Sequence, residues 1–214
     1  MGGRKPTVKL LYLERAPAAS VPAGDYDVGM VVAHDVSSRR YTLAEFLALP
    51  EGTPGELVGG YHRVSPAPFR PHQHVVGQIF IALSAWALER KAGQVYVSPF
   101  DVVLDAQHVL QPDVLFVSNA RKEILRDRCE GAPDLVVEVL SQDPAYDRVR
   151  KLPIYARSGV ARVWLVDANE KTFECLTLDG ASYRIERAFG DEDLAQPPGF
   201  ENLQIPLRPL FELP

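Results

Sequence analysis

Two carboxylates stand inside stretches that otherwise read as buried strands, and any fold for this chain has to give both a partner. The first is Asp113, in Val109-Leu110-Gln111-Pro112-Asp113-Val114-Leu115-Phe116-Val117. The second is Glu138, in Pro133-Asp134-Leu135-Val136-Val137-Glu138-Val139-Leu140. Charged groups almost never go fully inside unless they are paired or bind a metal. Two such carboxylates mark a candidate divalent-cation site.

Strand geometry decides which acids can cooperate. Side chains alternate, so Asp134 and Glu138 share a face but lie roughly 13 Å apart at ~3.3 Å per residue. One ion with ligands at about 2.0–2.1 Å cannot bridge them. Glu138 therefore needs an acid from another strand, and Asp113 is the best candidate. Asp134, after Pro133, reads as the cap of its strand.

The rest of the chain reads as alternating elements. Thr42-Leu43-Ala44-Glu45 is a capping box that opens a short helix ending before Pro50. Glu56 to Val64 reads as a hairpin turning at Gly59-Gly60. From Pro71 to about Ala92, Val75, Ile79, Leu83 and Trp86 recur at helical spacing, with Gly93 as a stop. Strands are expected at Gln94–Ser98, Asp101–Leu104, around Asp113 and at Leu135–Leu140. Asn119 reads as the cap of a basic helix, Ala120–Arg128. Asp143 and Pro144 start a helix that Pro153 should kink or split. Ala161–Val166, Thr172–Leu178 and Ala181–Glu186 read as strands, the last two joined at Asp179-Gly180. Earlier, Val8–Leu13 and Val28–Ala33 could each be a strand.

Composition restricts the function classes. Apolar residues make up 46% and charged residues 24% of the 214, ordinary for a soluble globular protein. No run approaches the ~20 apolar residues of a membrane span, and no signal sequence is visible, so a cytoplasmic protein with no membrane partner is expected. Cys129 and Cys175 lack metal-motif spacing and read as reduced thiols. The formal charge is −5, which argues against a broadly basic nucleic-acid coat. From Asp179 onward three basic and seven acidic residues supply −4 of it, so local basic clusters elsewhere could still face a polyanion. No P-loop, dinucleotide fingerprint, zinc spacing or nucleophile elbow is present.

Several segments, taken in order, resemble the Uma-two type of endonuclease, a branch of the PD-(D/E)XK, restriction-endonuclease-like superfamily. They are Tyr41-Thr42 to Pro50, Glu56-Leu57-Val58-Gly59-Gly60, Ser65-Pro66-Ala67-Pro68 with His72-Gln73, and Gln111-Pro112-Asp113. Ala132 to Ser141 follows, then Lys151-Leu152-Pro153-Ile154-Tyr155-Ala156 with Gly159-Val160, and Val163 to Asp167. The resemblance implies an α/β, restriction-endonuclease-like fold with a central mixed β-sheet flanked by helices. The resemblance runs from about Tyr41 to Leu178, and with the composition along the chain three parts are expected: an extension over 1–40, a nuclease domain over 41–190, and an acidic, Pro-rich tail over 191–214 packed on it.

It further implies a Mg²⁺- or Mn²⁺-dependent endonuclease acting on DNA. Asp113 and Glu138 would bind the metal, with Glu56 as the family's additional acid. Two residues after Glu138 stands Leu140, where the superfamily pattern has lysine, so the catalytic lysine is expected from the following helix as Lys151. Asp147 could pair with it at i, i+4. The hairpin also lacks the family's aspartate, since Gly59 follows Val58.

Other residues read more plainly. Of His72 and His74, which cannot face the same way on a helix, one could reach a phosphate or the site rim. Tyr155 reads as packing over Lys151. Arg121, Lys122, Arg126 and Arg128 read as a solvated basic run. A homodimer is compatible with cutting both strands of a duplex, although no stretch reads as an interface. Two competing readings are a nuclease-fold module that binds nucleic acid or protein without cutting, and a metal-dependent phosphatase for a small substrate.

Overall fold

A glycine pair and two helix boundaries set the architecture. In the computed structural model the described residues are 35–140 and 144–213, all within one unit spanning residues 32–214. The strands expected at Val8–Leu13 and Val28–Ala33, and the cap expected at Asp143, fall outside them.

Strand β1 (Asp35–Arg40) precedes helix α1 (Leu43–Leu47). Thr42 caps α1 with the reciprocal bonds of a capping box. Strands β2 (Glu56–Val58) and β3 (Tyr61–Val64) form the expected hairpin. Gly59 and Gly60 both have positive φ, as a two-residue hairpin turn of the favoured hand requires. Helix α2 (Arg70–Arg90) follows. It ends at Lys91 in the left-handed conformation rather than at Gly93. Gly93 has a different task as the first residue of β4 (Gly93–Val97): a Cβ there would lie 2.1 Å from the Val117 carbonyl oxygen.

Next come β5 (Val102–Asp105), β6 (His108–Leu110) and β7 (Val114–Ser118). The single strand expected around Asp113 is thus two strands in different sheets, and Asp113 lies in the bend between them. The basic run is shorter than expected, a 3₁₀ helix over Asn119–Ile124 that Asn119 does not cap; its side chain donates to the Lys91 carbonyl at 2.5 Å. Strands β8 (Cys129–Glu130) and β9 (Leu135–Val139) lead to α3 (Pro144–Tyr146), a π turn at Asp147–Lys151 and α4 (Leu152–Ser158). Strands β10 (Arg162–Asp167), β11 (Thr172–Asp179), β12 (Ser182–Phe189), β13 (Leu194–Ala195) and β14 (Ile205–Pro206) precede α5 (Leu207–Phe211).

Two six-stranded sheets result. One has the order β1-β3-β2-β6-β5-β8, the other β12-β11-β10-β9-β7-β4. Both are mixed: β9 and β10 run parallel, as do β5 and β8, and the other pairs are antiparallel. The central strands β7, β9 and β10 of the second sheet are buried on both faces, which is why β7 and β9 read as nearly continuous apolar runs. Leu135, Val137 and Val139 face Val75, Ile79 and Leu83 of α2 in the largest core cluster. Val136 and Leu140 point the other way, into a cluster with Ile154 and Tyr155 of α4 and Leu110 of the first sheet. Glu138 shares that second face by strand alternation.

The acidic tail also enters the core. Phe200, 5% exposed, packs its ring 5.0 Å from Trp86 and 4.9 Å from Trp164, centroid to centroid. Such tilted aromatic contacts add to the area they bury. Among the described residues no helix is long and apolar enough to cross a membrane.

Candidate active site

Pro153 decides where the site's cation points. It has no N–H for the carbonyl four residues back, and the chain takes a π turn just ahead of it. The Leu152 N–H reaches the Asp147 carbonyl, five residues earlier. The extra residue in this turn leaves Asp147 and Lys151 both buried on the inner side. A lysine on an exposed helix face is the commoner outcome.

Lys151 therefore sits under a cavity of about 560 Å³ lined by Glu56, His72, Asp113, Glu138, Asp147 and Lys151, among others. Its Nζ donates to both Glu138 oxygens at 3.2 Å. It is also 3.1 Å from Glu56 Oε1 and 3.9 Å from Asp147 Oδ1. The expected Asp147 pairing is thus the longest of its three contacts. Burial disfavours the ammonium, but Glu138, then Glu56, Asp147 and Asp113, more than compensate and hold Lys151 well above its ordinary value. It is a fixed positive charge at neutral pH and cannot act there as a base.

Glu138 is 3% exposed. Besides Lys151, it accepts a bond from the Tyr155 hydroxyl at 2.5 Å. Burial pushes its carboxyl well above the usual carboxylate range; Lys151 opposes this, while Asp113, Asp147 and Glu56 add to it. Glu56, in β2, is buried rather than exposed on its hairpin. Its Oε1 accepts the Gln111 N–H at 2.8 Å, which ties the first sheet to the bend carrying Asp113.

Asp113 Oδ2 accepts the Val139 N–H at 2.8 Å. The register of β7 and β9 pairs Val114 with Val137; continued by one residue, it sets Asp113 opposite Glu138. The two side chains line one cavity and sense each other's charge. Asp134 is elsewhere: its Oδ2 accepts the Ser118 N–H at 2.7 Å, a strand cap as expected.

His72, in the first turn of α2, also reaches the cavity, with Nε2 3.4 Å from Asp113 Oδ2. His74 instead contacts the Pro209 carbonyl at 3.2 Å. Among residues of the basic run, Arg126 pairs with Glu130 at 3.2 Å, and none lines the cavity. Tyr155, which reads from the sequence as packing over Lys151, also donates its hydroxyl to Glu138. Its i+4 spacing from Lys151 was the available signal, since that spacing puts both on one helix face. Cys129 and Cys175 are free and buried, their thiols pushed up to about 12 by burial, so neither is a poised nucleophile.

The donor chemistry suits a hard divalent cation. Glu56, Glu138 and Asp147 lie within 4 Å of the Lys151 ammonium, and Asp113 lines the same cavity. Oxygen donors of this kind suit Mg²⁺ or Mn²⁺. Among the described residues, no three His, Cys, Asp or Glu side chains already form a metal cage. Backbone, solvent or substrate oxygens would have to complete the coordination.

Two mixed sheets with helices on both faces, and an acid cluster at the bend between strands, define a nuclease-like, restriction-endonuclease-like fold. The chain belongs to the Uma2 family, described as "Putative restriction endonuclease", whose model matches residues 43–208. It is similar in fold to a crystal structure described as a "putative nuclease belonging to DUF820" from Anabaena variabilis ATCC 29413. That likeness has a TM-score of 0.66 at 22% identity and covers 79% of this chain and 97% of the other. No curated protein matches.

Proposed function

We propose that this chain is a Mg²⁺- or Mn²⁺-dependent endodeoxyribonuclease, with Asp113, Glu138 and Glu56 holding the metal and Lys151 assisting. One observation carries the reading: a buried lysine ammonium, shared by Glu56 and Glu138, lies in the same cavity as Asp113. Family membership supplies the nuclease class. The metal, when bound, would polarise the scissile phosphate and lower the pKa of a bound water.

The remaining work falls to the chain. Water adds to phosphorus and gives up a proton to solvent, the bond to the leaving ribose oxygen breaks and that oxygen takes a proton from solvent, and in between negative charge grows on the phosphoryl oxygens. Lys151, held protonated among its carboxylates, is a preorganised positive charge for that transition state. Tyr155 and Lys151 fix the Glu138 carboxylate from behind. Val139, through its N–H, fixes Asp113. Burial of these groups strengthens each interaction relative to water.

Plasmid DNA incubated with the purified protein and Mn²⁺ tests the reading. Nicking by the wild type and its loss in Asp113→Ala are expected; equal cleavage by the two rejects the site. A second reading, a nuclease-fold module that binds nucleic acid or protein without cutting, is favoured by the carboxylates that already neutralise Lys151 and by the lack of a preformed cage among the described residues. Absence of calorimetric Mg²⁺ or Mn²⁺ binding at millimolar concentration would favour that module.

A further inference from the structure

An imidazole sits at the acid cluster on terms that a simple hydrogen bond does not satisfy. His72 is 13% exposed, and its Nε2 is 3.4 Å from Asp113 Oδ2. That exceeds the about 2.7–3.2 Å of an N–H···O bond. The Asp113 Oδ2 atom already accepts the Val139 N–H at 2.8 Å. The other ring nitrogen, Nδ1, is buried with no hydrogen-bond partner.

The spacing is that of two ligands on one ion. Donors at about 2.1 Å from an octahedral centre and on adjacent vertices lie about 3 Å apart. Small movements of the imidazole and the carboxylate would therefore let Nε2 and Asp113 Oδ2 share one cation. His72 also comes from a different layer than the acids. It opens α2, on the far face of the second sheet from Tyr155 and Lys151, so the ion would tie that helix to the sheet.

We propose that His72 is a direct ligand of the divalent cation, and that its imidazole shifts the site's preference from Mg²⁺ toward Mn²⁺. Imidazole nitrogen suits borderline transition metals, whereas Mg²⁺ favours oxygen alone. The inference rests on the nuclease reading only in placing a cation at Asp113. His72 then does more than support a carboxylate: it helps to determine which metal the enzyme uses.

Mn²⁺ binding to the full chain tests this without any assay of cleavage. Wild type, His72→Gln, His74→Gln and Asp113→Ala are titrated by calorimetry with Mn²⁺ and with Mg²⁺, and the Mn²⁺ complexes are examined by pulsed electron paramagnetic resonance. The wild type and His74→Gln should show nitrogen coupling from a coordinated imidazole. His72→Gln should lose it, with its far-ultraviolet circular dichroism unchanged, and its Kd for Mn²⁺ should rise at least about tenfold, no less than for loss of a supporting contact. Its Kd for Mg²⁺ should move less.

Bound Mn²⁺ without nitrogen coupling in the wild type overturns the proposal, and this outcome needs no variant to fold. So does wild-type Mn²⁺ affinity in His72→Gln. If Asp113→Ala alone abolishes binding, the acidic site stands and the role of His72 falls. If the wild type binds no Mn²⁺ at millimolar concentration, both fall.

Discussion

The Tyr155 hydroxyl donates to Glu138 Oε1 at 2.5 Å, from a ring with no exposed surface. That bond and the two from Lys151 leave the Glu138 carboxylate little freedom to rotate. Tyr155→Phe keeps the ring's volume and removes the donor. Loss of about 1–3 kcal/mol in chemical denaturation is expected, the usual cost of an unsatisfied buried partner. If the bond orients Glu138 for catalysis, the DNA-nicking rate at saturating Mn²⁺ should also fall about 10–100-fold, as for supporting contacts in metal sites. A stability loss with an unchanged rate would confine Tyr155 to packing.

Lys151→Met should be far more damaging. It leaves Glu138, Glu56 and Asp147 buried without their shared cation. Breaking one side of such a buried pair costs about 3–5 kcal/mol. The loss measured by urea denaturation should shrink as pH is lowered and the raised Glu138 carboxyl takes up a proton. Adding Glu138→Gln to Lys151→Met should recover part of it. Equal losses for the single and double variants would mean that the ion cluster is not one energetic unit.

The raised pKa of Glu138 has a definite sign in pH dependence. A carboxyl raised in the folded state favours folding while it is protonated, and that contribution is lost as pH rises from the unfolded value near ~4.3 through the folded value. The stability difference between metal-free wild type and Glu138→Gln should therefore shift against the wild type as pH increases over that window. Mn²⁺ binds the ionised form, so its affinity should rise with pH and binding should release protons. Calorimetry in two buffers of different ionisation enthalpy measures that release. Identical heats in both would show that Glu138 is already ionised in the metal-free protein.

Phe200→Ala tests whether the acidic tail belongs to the core. Phe200 touches Trp86, Phe116 and Trp164, and large-to-small changes at such sites cost about 3–5 kcal/mol. A change below about 0.5 kcal/mol, the range of ordinary surface substitutions, would show that the tail contributes little to the core.

Local chemistry made much of the fold legible in the chain. The Thr42 capping box, the Gly59-Gly60 turn, the α2 stripe and the β9 apolar run each depend on residues within a few positions of one another, and each formed as the spacing requires. That Asp113 and Glu138 would line one cavity was also accessible, because two carboxylates in apolar stretches need company. Local pattern failed where a distant segment set the outcome. The run around Asp113 is apolar on both sides, yet it divides between two sheets because Leu110 and Val114 enter different core clusters. Gly93 looked like a helix stop, but the close approach of Val117 from a neighbouring strand accounts for it.

The site itself shows the same division. Carboxylates in apolar strands marked Asp113 and Glu138, while Glu56 and Lys151 were reached only through the family resemblance. Tertiary structure decided that Lys151 turns inward through a π turn before Pro153, that Glu56 is buried against the bend at Gln111, and that His72 rather than His74 meets Asp113. Spacing along a chain specifies which residues share a helix or strand face. It does not specify which faces of separate elements are pressed together, because that follows from burying all the apolar surfaces at once.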